Sequence, residues 1–126
     1  MPWDYKIDKE RKLVISTASG AATMADVLAH REKLFNDPDY DRSFSQLMDF
    51  TPVTKFEIEP DQVRSLSQTM VFSADSRRAI VVPNDLMFGF ARMYEMIRES
   101  AGETGIRVFR DRDEALEWVL AHSTTA

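Results

Sequence analysis

The sequence predicts an α/β layered domain with a mostly parallel, mixed five-stranded sheet, an N-terminal β-hairpin and about four helices. Three observations carry that expectation. Ala79-Ile80-Val81-Val82 is an unbroken apolar run of strand length, β-branched at three of four places, as a strand covered on both faces requires. Runs of this kind alternate with stretches of helical period, and strand-helix-strand units cross over right-handed into parallel sheets. Trp3, Tyr5 and Ile7 instead alternate with Asp4, Lys6 and Asp8. That period of two belongs to a strand with one wet face, placed antiparallel at or near an edge.

The first strand turns through Lys9 and Glu10 into a second, Leu13-Val14-Ile15, which ends at Ala18-Ser19-Gly20. Thr23 with Asp26 has the form of a capping box and opens a helix to Phe35 whose apolar residues are Met24, Val27, Leu28, Leu34 and Phe35. Arg31 falls in the middle of that stripe. Either it runs its stem over apolar surface with its head in water, the expected role, or it binds a carboxylate at the sheet edge. Asn36-Asp37-Pro38-Asp39 stops the helix, and Phe44 to Asp49 is a third strand. A loop from Thr51 to Pro60 follows, with Pro60 suited to a first helical turn. Val63, Leu66 and Met70 then give a narrow apolar stripe, so this helix should be the most exposed of the four.

After the central strand, Pro83 cannot donate to a sheet ladder, and Asn84 or Asp85 can cap a helix. In that helix Leu86, Phe90, Met93, Ile97 and Ala101 form the expected core stripe. Phe88 shares the opposite row with Arg92, Glu95 and Glu99, which leaves it exposed or nearly so. Gly102 and Gly105 close the helix, Ile106 to Phe109 is a fifth strand, and Asp111 with Glu114 opens a last helix. Residues after about 121 read as a polar tail.

At 126 residues the chain is expected to be a single domain, 1–126. Cysteine is absent, so neither disulfides nor thiolate chemistry are available. The N-terminus lacks a basic-then-apolar signal pattern, and no apolar run nears the roughly 20 residues of a membrane span. A cytoplasmic protein without a membrane span is expected. With 21 acidic and 16 basic side chains the net charge is -5, and the bases do not cluster, which argues against a nucleic-acid partner.

Little in the sequence supports catalysis. The two histidines, His30 and His122, provide almost no material for a triad or a metal site. Gly20, Gly89, Gly102 and Gly105 form neither a dinucleotide fingerprint nor a phosphate loop. The pair Glu57 and Glu59 lies on the expected loop with nothing to separate its two pKa values. No catalytic residue, metal or cofactor is expected.

Binding is better supplied. Parallel central strands would gather Asp49, Thr51, Asn84 and Asp85 at their carboxyl ends, where open α/β sheets place their crevices. Those residue types also cap helices and turns routinely, and that is the commoner use. Phe88 beside Gly89 and Arg92 has the chemistry of a partner anchor; alternatively it covers the end of the sheet or the loop at Phe56. Met87, Met93 and Met96 beside Phe90 and Tyr94 could line an adaptable apolar pocket, although core filling is their usual role.

These segments have a family resemblance. Tyr5-Lys6-Ile7-Asp8 through Leu13-Val14-Ile15, Leu47-Met48-Asp49, Arg78-Ala79-Ile80-Val81, Phe88-Gly89-x-Ala91-Arg92-Met93-Tyr94-Glu95 and Val108-Phe109-Arg110-Asp111-x-Asp113-Glu114-Ala115-x-x-Trp118 together resemble the SpoIIAA-like group of bacterial proteins. That group is related to STAS and CRAL-TRIO domains. The resemblance implies a five-stranded α/β domain without catalytic activity, akin to anti-sigma-factor antagonists on one side and lipid carriers on the other. The antagonists carry a phosphorylated serine in an Asp-Ser-Ser-Gly run that opens the helix after the third strand. Glu57-Ile58-Glu59-Pro60 stands at that place here, so the acceptor hydroxyl is missing; Thr51 and Thr54 lie upstream of it.

Two functions follow as expectations. The first is a non-enzymatic STAS-like regulatory module contacting a protein partner, or a second copy of itself, through Thr51–Pro60, the following helix and the Phe88–Arg92 patch. The second is a carrier or sensor of a small apolar molecule or lipid lodged between the Met-rich helix and the sheet. A carrier needs an enclosed apolar cavity of at least roughly a few hundred cubic ångströms, whereas an interaction module can have a filled core and an exposed apolar patch.

Overall fold

Strand β1 (Trp3–Asp8) pairs antiparallel with β2 (Leu13–Ala18), as the period-two pattern requires. A computed structural model describes residues 3–68 and 76–124. The remaining strands of the main sheet are β4 (Ser45–Asp49), β6 (Arg78–Val81) and β7 (Ile106–Phe109), in the spatial order β1-β2-β4-β6-β7. All pairings after the hairpin are parallel. The antiparallel strand is therefore an edge, and the run at Ala79 is central, with Ala79 and Val81 fully buried on one side and Ile80 on the other.

One element was not expected. The loop from Thr51 to Pro60 contains β5 (Val53–Phe56), which pairs in parallel with β3 (Gly20–Ala22) to form a separate two-stranded sheet. Gly20 has φ +68, a left-handed conformation that bends the chain out of the main sheet after Ala18. Four residues with one buried position carry too weak a pattern to be read as a strand.

Helix α1 (Met24–Phe35) begins at Thr23, whose hydroxyl accepts from the Asp26 N–H while the Asp26 carboxylate accepts from the Thr23 N–H. Helix α2 (Pro60–Leu66) starts with proline at its first position and buries Val63 and Leu66; Met70 lies outside the described residues. Asn84 caps α3 (Asp85–Ser100) by accepting from the Met87 N–H. The last helix, α4, runs Arg112–Thr124, so the backbone stays helical past the expected start of a polar tail.

Both long apolar stripes are turned only in part from their expected faces: Phe90 and Met93 on α3, and Met24, Val27 and Leu34 on α1, pack inward as expected. In α3 the buried residues are Met87, Tyr94 and Arg98, while Leu86 is 62% exposed and Met96 56%. The inward face is rotated by about one residue, roughly 100°. The cause is polar: Arg98 donates from Nε to Glu103 at 2.8 Å and from Nη1 to the Ser67 carbonyl at 2.9 Å, and both partners lie inside. In α1 the buried residues are His30 and Leu34, and Leu28 and Phe35 are exposed. There the Ser16 hydroxyl meets His30 Nε2 at 3.0 Å and fixes the helix face.

Two layers result. Helix α4 covers one face of the sheet through Ala115 and Val119, packed on Leu13, Leu47, Ala79 and Val81. The other face carries the larger core, with contributions from α1, α2, α3 and the small sheet.

Candidate ligand-binding site

Side chains alternate across a strand, so Gln46 and Met48 on β4, and Arg78 and Ile80 on β6, all face the larger layer. Gln46 and Arg78 are register partners at the amino ends of their strands, and Met48 pairs with Ile80 one step further along. Helices α1 and α3 both start at the carboxyl edge and run back toward the amino edge. Val27 and Met87 accordingly lie near one end, and Arg31 and Tyr94 near the other. Between sheet and helices is a cavity of about 130 Å³.

Its composition is graded by this topology. Toward the carboxyl edge the lining is apolar, with Phe50, Phe56, Val82, Met87 and Phe90. Toward the amino edge the polar side chains Gln46, Arg78, Tyr94, Arg31 and His30 join apolar Leu34 and Leu66 in the lining. Arg78 donates to the Tyr94 hydroxyl at 3.0 Å, and its other guanidinium contacts include Glu103 Oε2 at 3.7 Å. Arg31 is half-buried and reaches toward the Leu66 carbonyl at 3.5 Å. Burial pulls the Arg31 pKa below its ordinary value; the charges of Arg78 and Arg98 add to this, and Tyr94 acts in the opposite direction. Arginine stays protonated through such shifts.

His30 stands at the side of the cavity, with Trp3 at 5.5 Å between ring centroids and Tyr5 at 5.6 Å. Burial, with Arg31 and Lys33 nearby, pushes its pKa down to about 4, so the ring is neutral near pH 7. Gln46 donates to the Ser16 hydroxyl at 3.1 Å, and the same hydroxyl meets His30 Nε2 at 3.0 Å. Among the described residues the buried Trp3 Nε1 has no hydrogen-bond partner.

The residues singled out from sequence sit elsewhere, at the carboxyl rim. Asp49 is buried, accepts from the Thr51 N–H at 2.8 Å and hydroxyl at 2.7 Å, and pairs with Arg112 at 3.3 Å. Asn84 caps α3, and Asp85 pairs with Arg110 at 2.6 Å. Phe88 is half-buried on the large core with the Arg110 guanidinium 5.8 Å from its ring centroid, so it is not the exposed aromatic that helical period predicts. Arg92 pairs with Glu95 at 2.6 Å. The rim thus brings Asp49 and Thr51 into one cluster and Asp85 and Phe88 into another, both bound to the protein's own arginines. On the expected loop, Glu57 pairs with Lys55 at 3.1 Å and Ile58 lines the cavity.

Sequence reasoning missed the polar end of the cavity. Arg78 opening an apolar strand and Arg98 within a helical stripe were the available signals, since charged residues at core positions are buried only when something pairs with them. Among the described residues no group of three or more His, Asp or Glu side chains is placed to hold a metal ion, and no helix is long and apolar enough to cross a membrane.

No protein-family model matches the chain, and no curated protein does. Among solved structures, an uncharacterised protein of the DUF3478 family with a SpoIIAA-like fold, from Shewanella loihica PV-4, matches with a TM-score of 0.59. The match covers 93% of each chain at 16% sequence identity. At that identity the likeness establishes a SpoIIAA-like fold.

Proposed function

We propose that this SpoIIAA-like domain is a non-catalytic binding domain that holds a small, largely apolar molecule between its sheet and its first three helices. The observation that supports this reading is the cavity of about 130 Å³ with one apolar and one polar end. Ligand sites generally combine apolar walls with a few placed polar groups. An engineered apolar cavity of about 150 Å³ takes up benzene, so the volume suits a single ring or a short branched chain. It falls below the roughly few hundred cubic ångströms expected of a carrier from the sequence, so the reading holds only for a cargo much smaller than a lipid.

NMR titration with benzene tests the reading. Shift changes should concentrate on the Met48, Met87 and Ala91 methyl groups, and Ala91→Leu should abolish them. Changes spread over the surface, or none at all, would overturn it. Native mass spectrometry of freshly purified protein would then weigh any retained molecule.

A second reading, the STAS-like interaction module, is favoured by the outward face of α3, where Leu86 and Met96 are exposed. On this reading a protein partner or a second copy docks on that row and not on the half-buried Phe88. Leu86→Asp should then abolish co-purification of the partner, or dimerisation, without loss of fold.

A further inference from the structure

We infer that the molecule held in the cavity is a small organic acid, with its carboxylate against Arg31 and Tyr94 and its apolar body toward Phe50, Val82 and Met87. The inference rests on the cavity-binding reading and adds the charge of the ligand to it.

Three guanidinium groups meet at the polar end. Arg98 is bonded to Glu103, and Arg78 has Tyr94 and Glu103 beside it. Arg31 has no such arrangement. Among the described residues its hydrogen bond is to the Leu66 carbonyl, at the long distance of 3.5 Å. Among the described residues no carboxylate comes within ion-pair distance of it. A half-buried guanidinium without a counter-charge among the described residues is costly, and one near two other cations is more so. A carboxylate entering the cavity would supply the missing charge, and the planar guanidinium fork matches its two oxygens.

The rest of the cavity limits what else the ligand can be. Its far end is walled by Phe50, Val82 and Met87, with no ionised group among them, so a second charge on the ligand would be stranded there. The volume of about 130 Å³ admits a ring-sized body and excludes long chains. The class is therefore a monocarboxylic acid with a single aromatic ring or a compact branched body.

Benzoate and benzamide share one shape and differ by one charge. Calorimetric titration of the whole protein should find benzoate bound about tenfold or more tightly than benzamide, the difference expected between charge-assisted and neutral hydrogen bonds. Arg31→Gln should bring the two affinities within about threefold of each other, and Arg31→Lys should restore part of the preference. Equal affinities in the unaltered protein, or a preference that survives Arg31→Gln, would overturn the inference. Benzene binding with no preference for benzoate would sink the charge assignment alone. If none of benzene, benzamide and benzoate binds, the cavity reading fails and the inference fails with it. The comparison in the unaltered protein decides the question even if a variant does not fold.

Discussion

The two faces of the main sheet are built from alternate residues of the same strands and have opposite characters. Toward α4, Leu13, Leu47, Ala79, Val81, Ala115 and Val119 are all fully buried in an apolar layer, and the buried polar residues Ser45 and Asp49 stand only at the two ends of β4. Toward α1, α2 and α3 the same strands send in Ser16, Gln46 and Arg78, all buried, and leave a cavity beside them. A tightly filled face gains dispersion contacts and uniqueness, whereas a cavity forfeits them. A sheet that needed only stability would be packed on both sides. The difference separates a supporting face from a working face, and each prediction below acts on one side of that division.

The largest effect should come from the charge buried on the working face. Glu103 is wholly buried and accepts from Arg98 Nε at 2.8 Å. Glu103→Gln keeps the shape and removes the charge, leaving the Arg98 guanidinium buried without a carboxylate. Breaking a buried pair from one side costs about 3–5 kcal/mol, and the loss should appear as a lowered midpoint in urea unfolding. A shift of less than about 1 kcal/mol would mean that the end of this layer is wetter than its burial implies.

Enlarging one alanine on each face addresses packing directly. Ala115 is fully buried against the sheet under α4, and adding three carbons there should cost about 2 kcal/mol by overpacking. Ala91 lines the cavity, so Ala91→Leu has space to occupy and should leave stability unchanged or raise it by about 1 kcal/mol. Equal costs would indicate that the cavity closes when the protein is free in solution. The same Ala91→Leu variant is the one expected to lose benzene binding, so stability and binding should move in opposite directions.

This division explains what the sequence made legible. The supporting face was readable because its middle is apolar: the strand positions of the main sheet, the central run at Ala79 and the antiparallel edge follow from period and turn chemistry. The working face was not, because there polar residues take core positions. Arg98 and Tyr94 point inward on α3 and His30 points inward on α1. A pattern that assigns Arg to water turns each helix in part the wrong way. Arg31 was noticed from its place in the α1 stripe, but its setting depends on Leu66, Tyr94 and Arg78, which are brought to it from three other elements. Rim residues such as Asp49 and Asn84 were easy to single out, since turn formers mark strand ends, and their bonds are to the neighbouring backbone.

Acid should weaken the working face first. His30 has its pKa lowered to about 4 by burial and by nearby Arg31 and Lys33, against an ordinary value of 6.5. The unfolded chain therefore takes up the proton before the folded one does. Stability from the neutral ring is fully present above pH 6.5, declines as pH falls from there toward about 4, and levels off below. With allowance for partial screening the loss should be on the order of 1 kcal/mol. Thermal melts of the unaltered protein and of His30→Gln across this window should converge at low pH, and parallel curves would show that His30 carries no part of the acid response.

The smallest effect is expected at the carboxyl rim. Arg110 pairs with Asp85 at 2.6 Å, but the side chains are 51% and 94% exposed, and water screens such pairs until they contribute about 0–1 kcal/mol. Arg110→Ala also uncovers one face of the Phe88 ring, which is held on the large core by its other side. Its unfolding midpoint should shift by no more than about 0.5 kcal/mol, and its affinity for benzoate should stay within about twofold of the unaltered protein. A substantial loss of affinity would place the ligand at the strand tips, where the sequence alone had pointed, and would reverse the roles of rim and cavity.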